Sequence, residues 1–463
     1  MLIKNGTIVT PIGTKQASIL VSGEKIAAVY DQGQPIPREP EGVIDATGCF
    51  IFPGGIDPHV HMHLPTSAGY SSDDFRSGSR AALFGGTTSL IDFVTPYKGQ
   101  LLTAALSDRL KEASDTLTDY RLHVSPIEWR DTIPQETEAC VKAGITSFKA
   151  YMAYKEAIGI DEKVLEKVMK TIADAGGMVL VHCELGDEIE RLRDAMFAAG
   201  QTGVMAHAHS RPNEMESHAV QLAIRLAART GCPLYIVHVS AKESVSHIRR
   251  ARQNGQKVFA EACMHHLLLD ASTYEEPFEK SAACVFSPPL RTNTDQEALW
   301  EGLADGTIQV VATDHCPFMM AQKKRGLHDF RLIANGAGGV EHRMELLYTY
   351  GVQAGRISLE RFVEVTAANP AKIFGLYPKK GTIETGSDAD LLIWDPDAKR
   401  TISHKTHHQN CDHNIYEGMA VQGQPVYVIS KGVVVIQNGT MIHVPKGRFL
   451  PNTYPWSPNP YIF

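Results

Sequence analysis

Eight short apolar runs alternate with helical patterns through the middle of the chain, and this alternation limits the possible folds more than any other feature. A strand followed by a helix, repeated many times, builds a parallel sheet with helices outside it. Eight such units over roughly 320 residues predict an α/β fold, a (β/α)8 TIM-like barrel, with a doubly wound sheet as the alternative. The runs are residues 55–61, 88–93, 122–127, 146–152, 178–182, 234–239, 257–262 and 308–314.

The two ends of the chain show another pattern, in which short apolar strands are separated by turn residues. Turns occur at residues 11–13 and 22–25, and strand-like runs return after residue 390. Closely spaced turns of this kind favour a small antiparallel sheet built from both ends. The predicted division is residues 1–52 with 378–443 as a β-sandwich domain, 53–377 as the barrel and 444–463 as an extended tail.

The composition argues against several partners and locations. Lysine and arginine number 45 against 52 acidic residues, and a net charge of −7 offers no basic patch for nucleic acid. No apolar run approaches the roughly 20 residues of a membrane span, so no membrane partner is expected. The first residues also lack the charged and apolar stretches of a signal peptide, and we therefore expect a cytoplasmic protein.

The eight cysteines include no CxxC pair, the usual mark of a zinc or redox site built on two thiols. In a reducing compartment, scattered cysteines are usually core residues. Any metal is therefore expected on other ligands, and the 20 histidines are the candidates.

Six residues with metal-binding chemistry lie in five of the eight runs, at the ends where a barrel builds its active site. Two histidines are two positions apart in the first run, so their imidazoles share one face of the strand. Alone, a histidine at a strand end is more often a hydrogen-bonded core residue. Together, the imidazoles and a carboxylate suit zinc. The six residues are His59, His61, Lys149, His182, His238 and Asp314.

Longer motifs surround these residues. They are residues 44–48 (IDATG), 53–61 (PGGIDPHVH), 72–75 (SDDF), 85–89 (GGTTS), 147–155 (SFKAYMAYK), 233–238 (PLYIVH), 287–291 (SPPLR), 312–318 (ATDHCPF), 335–336 (NG), 339–341 (GVE) and 386–391 (GSDADL). Over nearly the whole chain, this combination resembles the dihydropyrimidinase/hydantoinase family, a cyclic-amidohydrolase branch of the amidohydrolase superfamily.

The resemblance implies a hydrolase that opens the cyclic amide bond of hydantoins or dihydropyrimidines to give N-carbamoyl amino acids. It implies two divalent metal ions, zinc first, with a hydroxide between them as the attacking group. The implied ligands are His59 and His61 with Asp314 for one ion, His182 and His238 for the other, and carboxylated Lys149 (N6-carboxylysine) bridging both.

The resemblance also implies the roles of the residues around the metals. Asp314 takes the proton of the hydroxide and passes it to the leaving nitrogen. Tyr154 donates a hydrogen bond to the developing oxyanion, and Ser287 and Asn335 hold the cyclic imide, mainly through backbone groups. A homotetramer is implied as well, and the aromatic segment 454–463 agrees with an oligomer because it is too apolar for solvent.

The chain departs from the family pattern close to these residues. Residues 261–266 read EACMHH where relatives usually have ETCPQY, and residues 183–185 read CEL where relatives usually have AEN. None of the six metal positions is changed. We therefore expect the departures to affect the substrate side chain and its stereochemistry, and not the hydrolysis.

Two alternative functions remain. A dihydroorotase or allantoinase typically has an arginine soon after the first histidine pair, whereas Met62, His63 and Leu64 follow here. A non-catalytic scaffold similar to the collapsin-response mediators lacks metal ligands, whereas all six positions are filled here. A second histidine pair, His207 and His209, is expected to lie in a loop or beside the metal ligands and not to bind a third metal.

Overall fold

The structure, a computed structural model, describes residues 1–36 and 42–452. Its strands form a nine-stranded sheet, an eight-stranded sheet and a two-stranded hairpin. The strands are β1 (Leu2–Thr10), β2 (Gly13–Ser22), β3 (Lys25–Asp31), β4 (Val43–Asp45), β5 (Phe50–Pro53), β6 (Gly55–Val60), β7 (Pro65–Thr66), β8 (Gly69–Tyr70), β9 (Thr87–Val94), β10 (Asp119–Val124), β11 (Ser147–Tyr151), β12 (Met178–His182), β13 (Leu234–Ile236), β14 (Val258–Cys263), β15 (Val310–Ala312), β16 (Leu391–Thr401), β17 (Ala420–Ser430), β18 (Val433–Gln437) and β19 (Thr440–Met441).

Helices follow the strands of the eight-stranded sheet. The α-helices are α1 (Phe75–Phe84), α2 (Leu102–Glu112), α3 (Ile133–Lys142), α4 (Glu162–Asp174), α5 (Gly186–Ala198), α6 (Met205–His209), α7 (Asn213–Thr230), α8 (Lys242–Gln253), α9 (Met264–Leu268), α10 (Phe278–Ala283), α11 (Asn293–Asp305), α12 (Met320–Lys323), α13 (Arg343–Leu347), α14 (Leu359–Val363) and α15 (Asn369–Ile373). Short 3-10 segments are Ala113–Asp115, Ala271–Glu275, Lys324–Gly326 and Phe330–Leu332, and π segments are Tyr348–Gln353 and Glu364–Ala368.

The eight predicted runs form one parallel sheet in chain order, from β6 through β9 to β15. A parallel bridge between Val60 and His315 brings the last strand back to the first. Every residue of these eight strands is buried, as expected for a parallel sheet covered by helices on the outside and filled by side chains within. The predicted (β/α)8 barrel is therefore confirmed.

The strands from the two ends of the chain pair in a separate, mainly antiparallel sheet. Strand β5 joins them, because it pairs with β1 on one side and antiparallel with β16 on the other. The sheet then continues outwards through β2 and β3 and through β17 to β19. The predicted β domain made from both termini is confirmed.

The chain after this sheet lies in extended form against the barrel. The backbone N–H of Tyr120 donates to the Arg448 carbonyl at 2.9 Å, and the N–H of Leu450 donates to the Tyr120 carbonyl at 2.8 Å. The aromatic segment 454–463, on which the oligomer prediction depends, lies outside the described residues.

The state of the cysteines and the length of the helices bear on two predictions from the sequence, that the cysteines are reduced and that no segment crosses a membrane. All eight cysteines are free thiols. Across residues 1–36 and 42–452, no helix has both the length and the apolar content that a membrane crossing requires.

Candidate metal centre and active site

The structure brings all six predicted metal-binding residues to one cavity of about 900 Å³, at the carboxyl ends of the barrel strands. The Nε2 atoms of His59 and His61 each lie 3.1 Å from the same Asp314 oxygen. The other two histidines lie beside this group. His182 Nδ1 is 2.9 Å from His238 Nε2, and the ring centroids of His59 and His238 are 5.4 Å apart.

Lys149 lines the same cavity and is only 1% exposed. Its Nζ lies 5.0 Å from the ring centroid of Phe93 and 5.2 Å from that of Tyr151. Burial lowers the pKa of Lys149 to about 8, although the negative charges of Glu261 and Asp314 oppose the shift. A substantial fraction of this amine is therefore neutral at mildly alkaline pH, and a neutral amine is nucleophilic.

A buried carboxylate, Glu261, orients two of the histidines. One of its oxygens contacts His59 Nδ1 and accepts the backbone N–H of His238 at 3.1 Å. The other accepts the Tyr235 hydroxyl at 2.8 Å. Because Nδ1 of His59 is engaged with Glu261, its Nε2 is left to face the centre of the site, as in most histidine–metal sites.

A second buried carboxylate, Glu184, orients His182 at the end of β12. Its carboxylate lies 2.7 Å from His182 Nε2 and accepts a hydrogen bond from Arg211 at 2.7 Å. Burial alone would raise the pKa of Glu184, but Arg211 and His182 hold it well below its usual range. Glu184 is therefore ionised, and it leaves the lone pair of His182 Nδ1 directed towards His238.

The donor atoms fit divalent metal ions. His59 Nε2 is buried without a well-aligned hydrogen bond among the described residues, and it and His61 Nε2 approach one Asp314 oxygen, as two imidazoles and a carboxylate around one cation would. His182 Nδ1 and His238 Nε2 face each other at hydrogen-bond distance, although His182 already uses Nε2 to donate to Glu184. Four imidazoles and an aspartate form a set that zinc accepts readily.

The three residues expected to hold the substrate also line this cavity. Ser287 Oγ donates to Asn335 Oδ1 at 3.1 Å. The ring centroid of Tyr154 is 5.3 Å from that of His182. Burial raises the pKa of Tyr154, so its hydroxyl stays protonated and can donate a hydrogen bond.

Three residues of the site have left-handed backbone conformations, which non-glycine residues rarely adopt. Their φ angles are 60° at Tyr154, 38° at His238 and 51° at Asp314. Each such residue typically costs about 1–3 kcal/mol, and strain of this kind gathers at functional sites. The strain supports a catalytic role for this end of the barrel.

Comparison with known proteins gives the family. The family model described as the amidohydrolase family matches residues 50–435. The chain belongs to the amidohydrolase family. The D-hydantoinase of Geobacillus stearothermophilus is 41% identical over 447 residues, which are 96% of this chain and 94% of that protein.

Two further relatives agree with this assignment. The dihydropyrimidinase of Rattus norvegicus is 39% identical over 458 residues, 97% of this chain and 88% of that one. A solved structure, the dihydropyrimidinase from Brevibacillus agri NCHU1002, superposes with a TM-score of 0.94 at 41% identity and covers 97% of this chain and 98% of its own. The predicted family and the predicted enzyme class, a cyclic amidohydrolase, are confirmed.

The sequence predicted six candidate metal ligands of this amidohydrolase but assigned no role to Glu184, Glu261 or Arg211. A signal for Glu184 was present, because it lies two positions after His182 at the end of the same run. No comparable signal pointed to Arg211, which approaches the site only through the fold.

The second histidine pair lies in the short helix α6, where His207 is buried. Its Nε2 lies 2.8 Å from the Phe286 carbonyl oxygen, and the side chain lines the cavity. No cluster of metal-binding side chains among the described residues includes this pair. His207 therefore supports the wall of the amidohydrolase site.

Proposed function

We propose that this amidohydrolase opens the cyclic amide bond of hydantoins or dihydropyrimidines and releases N-carbamoyl amino acids. The proposal depends above all on one observation: two pairs of histidines, Asp314 and Lys149 line a single cavity beside Tyr154. The names of the relatives, hydantoinase and dihydropyrimidinase, support the same class of ring.

The residues of the site suit two divalent ions, zinc first. When bound, the ions would supply a hydroxide near neutral pH and polarise the amide carbonyl. The neutral amine of Lys149 can add carbon dioxide and lose a proton, and the resulting carbamate (N6-carboxylysine) is an anion that can bridge two cations. The proposed ligands are His59 and His61 with Asp314, His182 and His238, and carboxylated Lys149.

Asp314 is suited to move the proton that the reaction requires. Burial opposes its ionisation, but His59 and His61 hold the pKa of Asp314 well below its usual range. It therefore enters the reaction as a carboxylate. We propose that it takes the proton of the attacking hydroxide and gives it to the leaving ring nitrogen.

Tyr154, Ser287 and Asn335 are proposed to hold the ring. The Tyr154 hydroxyl would donate to the carbonyl oxygen, more strongly as negative charge develops there. Ser287 and Asn335, already hydrogen-bonded to each other, would bind the imide edge mainly through backbone groups. The neighbouring Tyr151 also lines the cavity and would shape the pocket for the ring substituent.

A turnover panel on zinc-loaded protein tests the substrate class. Dihydrouracil, hydantoin, 5-substituted hydantoins, allantoin and dihydroorotate would be compared at equal enzyme concentration. We expect turnover of the first three groups and little of the last two. Turnover confined to allantoin or dihydroorotate would replace this proposal with the alternative from the same superfamily.

We also propose that the chain acts in the cytoplasm as a homo-oligomer, a tetramer. Exposed apolar side chains at Val433, Ile442 and Val444 lie just before the C-terminal segment, and an interface would cover them. Deleting the residues after Asn452 keeps the part that packs on the barrel and removes the aromatic segment. We expect a smaller mass by light scattering, and an unchanged mass would contradict the role of this segment.

A further inference from the structure

A second cluster of metal-binding side chains lies behind the wall of the cavity. Cys263 ends β14, and His265 and His266 belong to the helix α9 that follows. One ligand atom from each residue lies within 4.8 Å of the other two, and all three side chains are buried. None of them lines the cavity, but Phe286 does, and its ring centroid is 4.1 Å from that of His265.

Two ring nitrogens in this cluster have no hydrogen-bond partner in the part of the chain that the structure describes. His266 Nε2 lies 3.0 Å from the Pro288 carbonyl oxygen and donates to it, which leaves a lone pair on Nδ1. This Nδ1 and Nε2 of His265 are both buried without a hydrogen bond among the described residues. A histidine that donates from one nitrogen to a carbonyl and presents the other without a partner has the usual arrangement of a metal ligand.

The surrounding charges favour a cation. Burial and the negative charges of Glu261, Asp314 and Asp57 raise the pKa of the Cys263 thiol well above its usual value. The same carboxylates would attract a metal ion, and a coordinating thiol loses its proton to the solvent on binding. Burial lowers the pKa of His266 to about 4, so its ring is neutral and its lone pair is available.

We propose that Cys263, His265 and His266 bind a third metal ion, a thiophilic transition metal such as zinc. One thiolate and two imidazoles are donors that zinc accepts. The lack of a CxxC pair argues only against sites with two thiolates. The two histidines fall within residues 261–266, where this chain departs from the family pattern that it otherwise resembles, so the site would be particular to this chain.

The ion would have a structural role. It would join the end of β14 and helix α9 to one another, and through His266 to the Pro288 carbonyl. Pro288 follows Ser287, which lines the cavity. The third ion would thus hold one edge of the substrate pocket in place without contacting the substrate.

Cobalt substitution distinguishes this site from the catalytic one. Cobalt(II) bound to a thiolate gives a charge-transfer band in the near ultraviolet, which histidine and carboxylate ligands do not give. The protein would be produced in cobalt-supplemented medium, because the buried thiol is closed to solution. We expect the band in the native protein, together with about one metal equivalent beyond the two of the catalytic site.

Variants identify the ligands. His265→Gln and His266→Tyr introduce residues that relatives carry at these positions, so the fold is expected to tolerate them. Each should lose the band and about one equivalent of metal while the catalytic cobalt spectrum remains. Lys149→Ala should keep the thiolate band and lose catalytic cobalt. A failure of the proposed catalytic site can therefore be distinguished from a failure of the third site.

Two results would overturn the third site. One is a native protein without the thiolate band when the catalytic site is full of cobalt. The other is a band that persists in Cys263→Ala, since another thiol such as Cys183 or Cys316 would then be its source.

Discussion

Two lysines are buried in opposite surroundings at the two ends of the barrel. Lys149 has no ion-pair partner in the described part of the chain, and burial lowers its pKa to about 8. Lys380 contacts Asp390 and lies 2.9 Å from Asp119 and 3.1 Å from Asp388. Burial alone would lower the pKa of Lys380, but the three aspartates raise it above its usual value.

The difference shows what decides whether a buried lysine is structural or reactive. The aspartates keep Lys380 permanently charged, and because Asp119 begins β10 while Asp388 and Asp390 precede β16, this cluster joins the barrel to the terminal sheet. Lys149 has no carboxylate within ion-pair distance among the described residues, so it can lose its proton and become a nucleophile.

A third buried lysine, Lys323, shows that a lowered pKa alone does not make a lysine reactive. Burial also lowers the pKa of Lys323 to about 8. Its Nζ, however, donates to the carbonyls of Ala334 and Gly336 at 2.7 Å and of Val285 at 3.1 Å. With its three protons engaged, Lys323 holds the loop that carries Asn335, whereas Lys149 faces the open cavity.

The largest expected effect tests the reactive side of this comparison. Lys149→Ala should lose at least one metal ion and lower kcat by about 10⁴-fold or more, since the anion that we propose as the bridge would be gone. Acetate or propionate should restore part of both, because a small carboxylate can occupy the vacated position. Metal analysis and turnover with and without the acid are the measurements.

Lys155→Ala is the matched control for this experiment. Lys155 lies beyond the end of β11, and its Nζ donates to the Ile160 carbonyl at 2.9 Å. This variant should keep both catalytic metals. Two full equivalents of zinc in Lys149→Ala would show that Lys149 is not the bridge.

The structural side of the comparison is tested by Lys380→Met. Removing the ammonium leaves three buried aspartates without their partner, which should lower the free energy of unfolding by about 3–5 kcal/mol. The kcat per bound metal in the protein that remains folded should be unchanged, because the cluster is at the other end of the barrel. Urea unfolding monitored by circular dichroism measures the loss. A variant as stable as the native protein would mean that Lys380 contributes no net stability.

Tyr154→Phe sharpens the assignment inside the cavity. Loss of one donor to the developing oxyanion should lower kcat by roughly 10²–10³-fold, with metal content unchanged. Tyr151→Phe is the control, because Tyr151 lines the cavity where the ring substituent would lie and should affect KM more than kcat. If Tyr151→Phe is the damaging change and Tyr154→Phe is silent, the two roles are exchanged.

The smallest expected effect concerns the carboxylate that orients His182. Glu184→Gln should weaken metal affinity by about 10–100-fold, since His182 loses a charged acceptor. Glu188→Gln, on the exposed face of α5, is the control and should behave as the native protein does. Competition with a chelator measures both, and equal affinities would exclude an orienting role for Glu184.

Much of the fold and of the candidate site followed from local patterns. Alternation of strands and helices predicts the barrel, and residues two apart on a strand share a face, which places His59 beside His61. Parallel strands end at the same edge, which brings His182, His238 and Asp314 to that edge as well. These rules need only short stretches of chain and the direction of the strands.

Only the tertiary structure decided the proton states and the orientation of the ligands. Glu261, which engages Nδ1 of His59 and leaves Nε2 facing the centre of the site, is 202 residues away in the chain. Lys149 and Lys380 have the same side chain, and their pKa values move in opposite directions because of aspartates that only the fold brings near one of them. The periodicity of a strand is a local property, whereas proton affinity depends on distances between charges that are far apart in sequence.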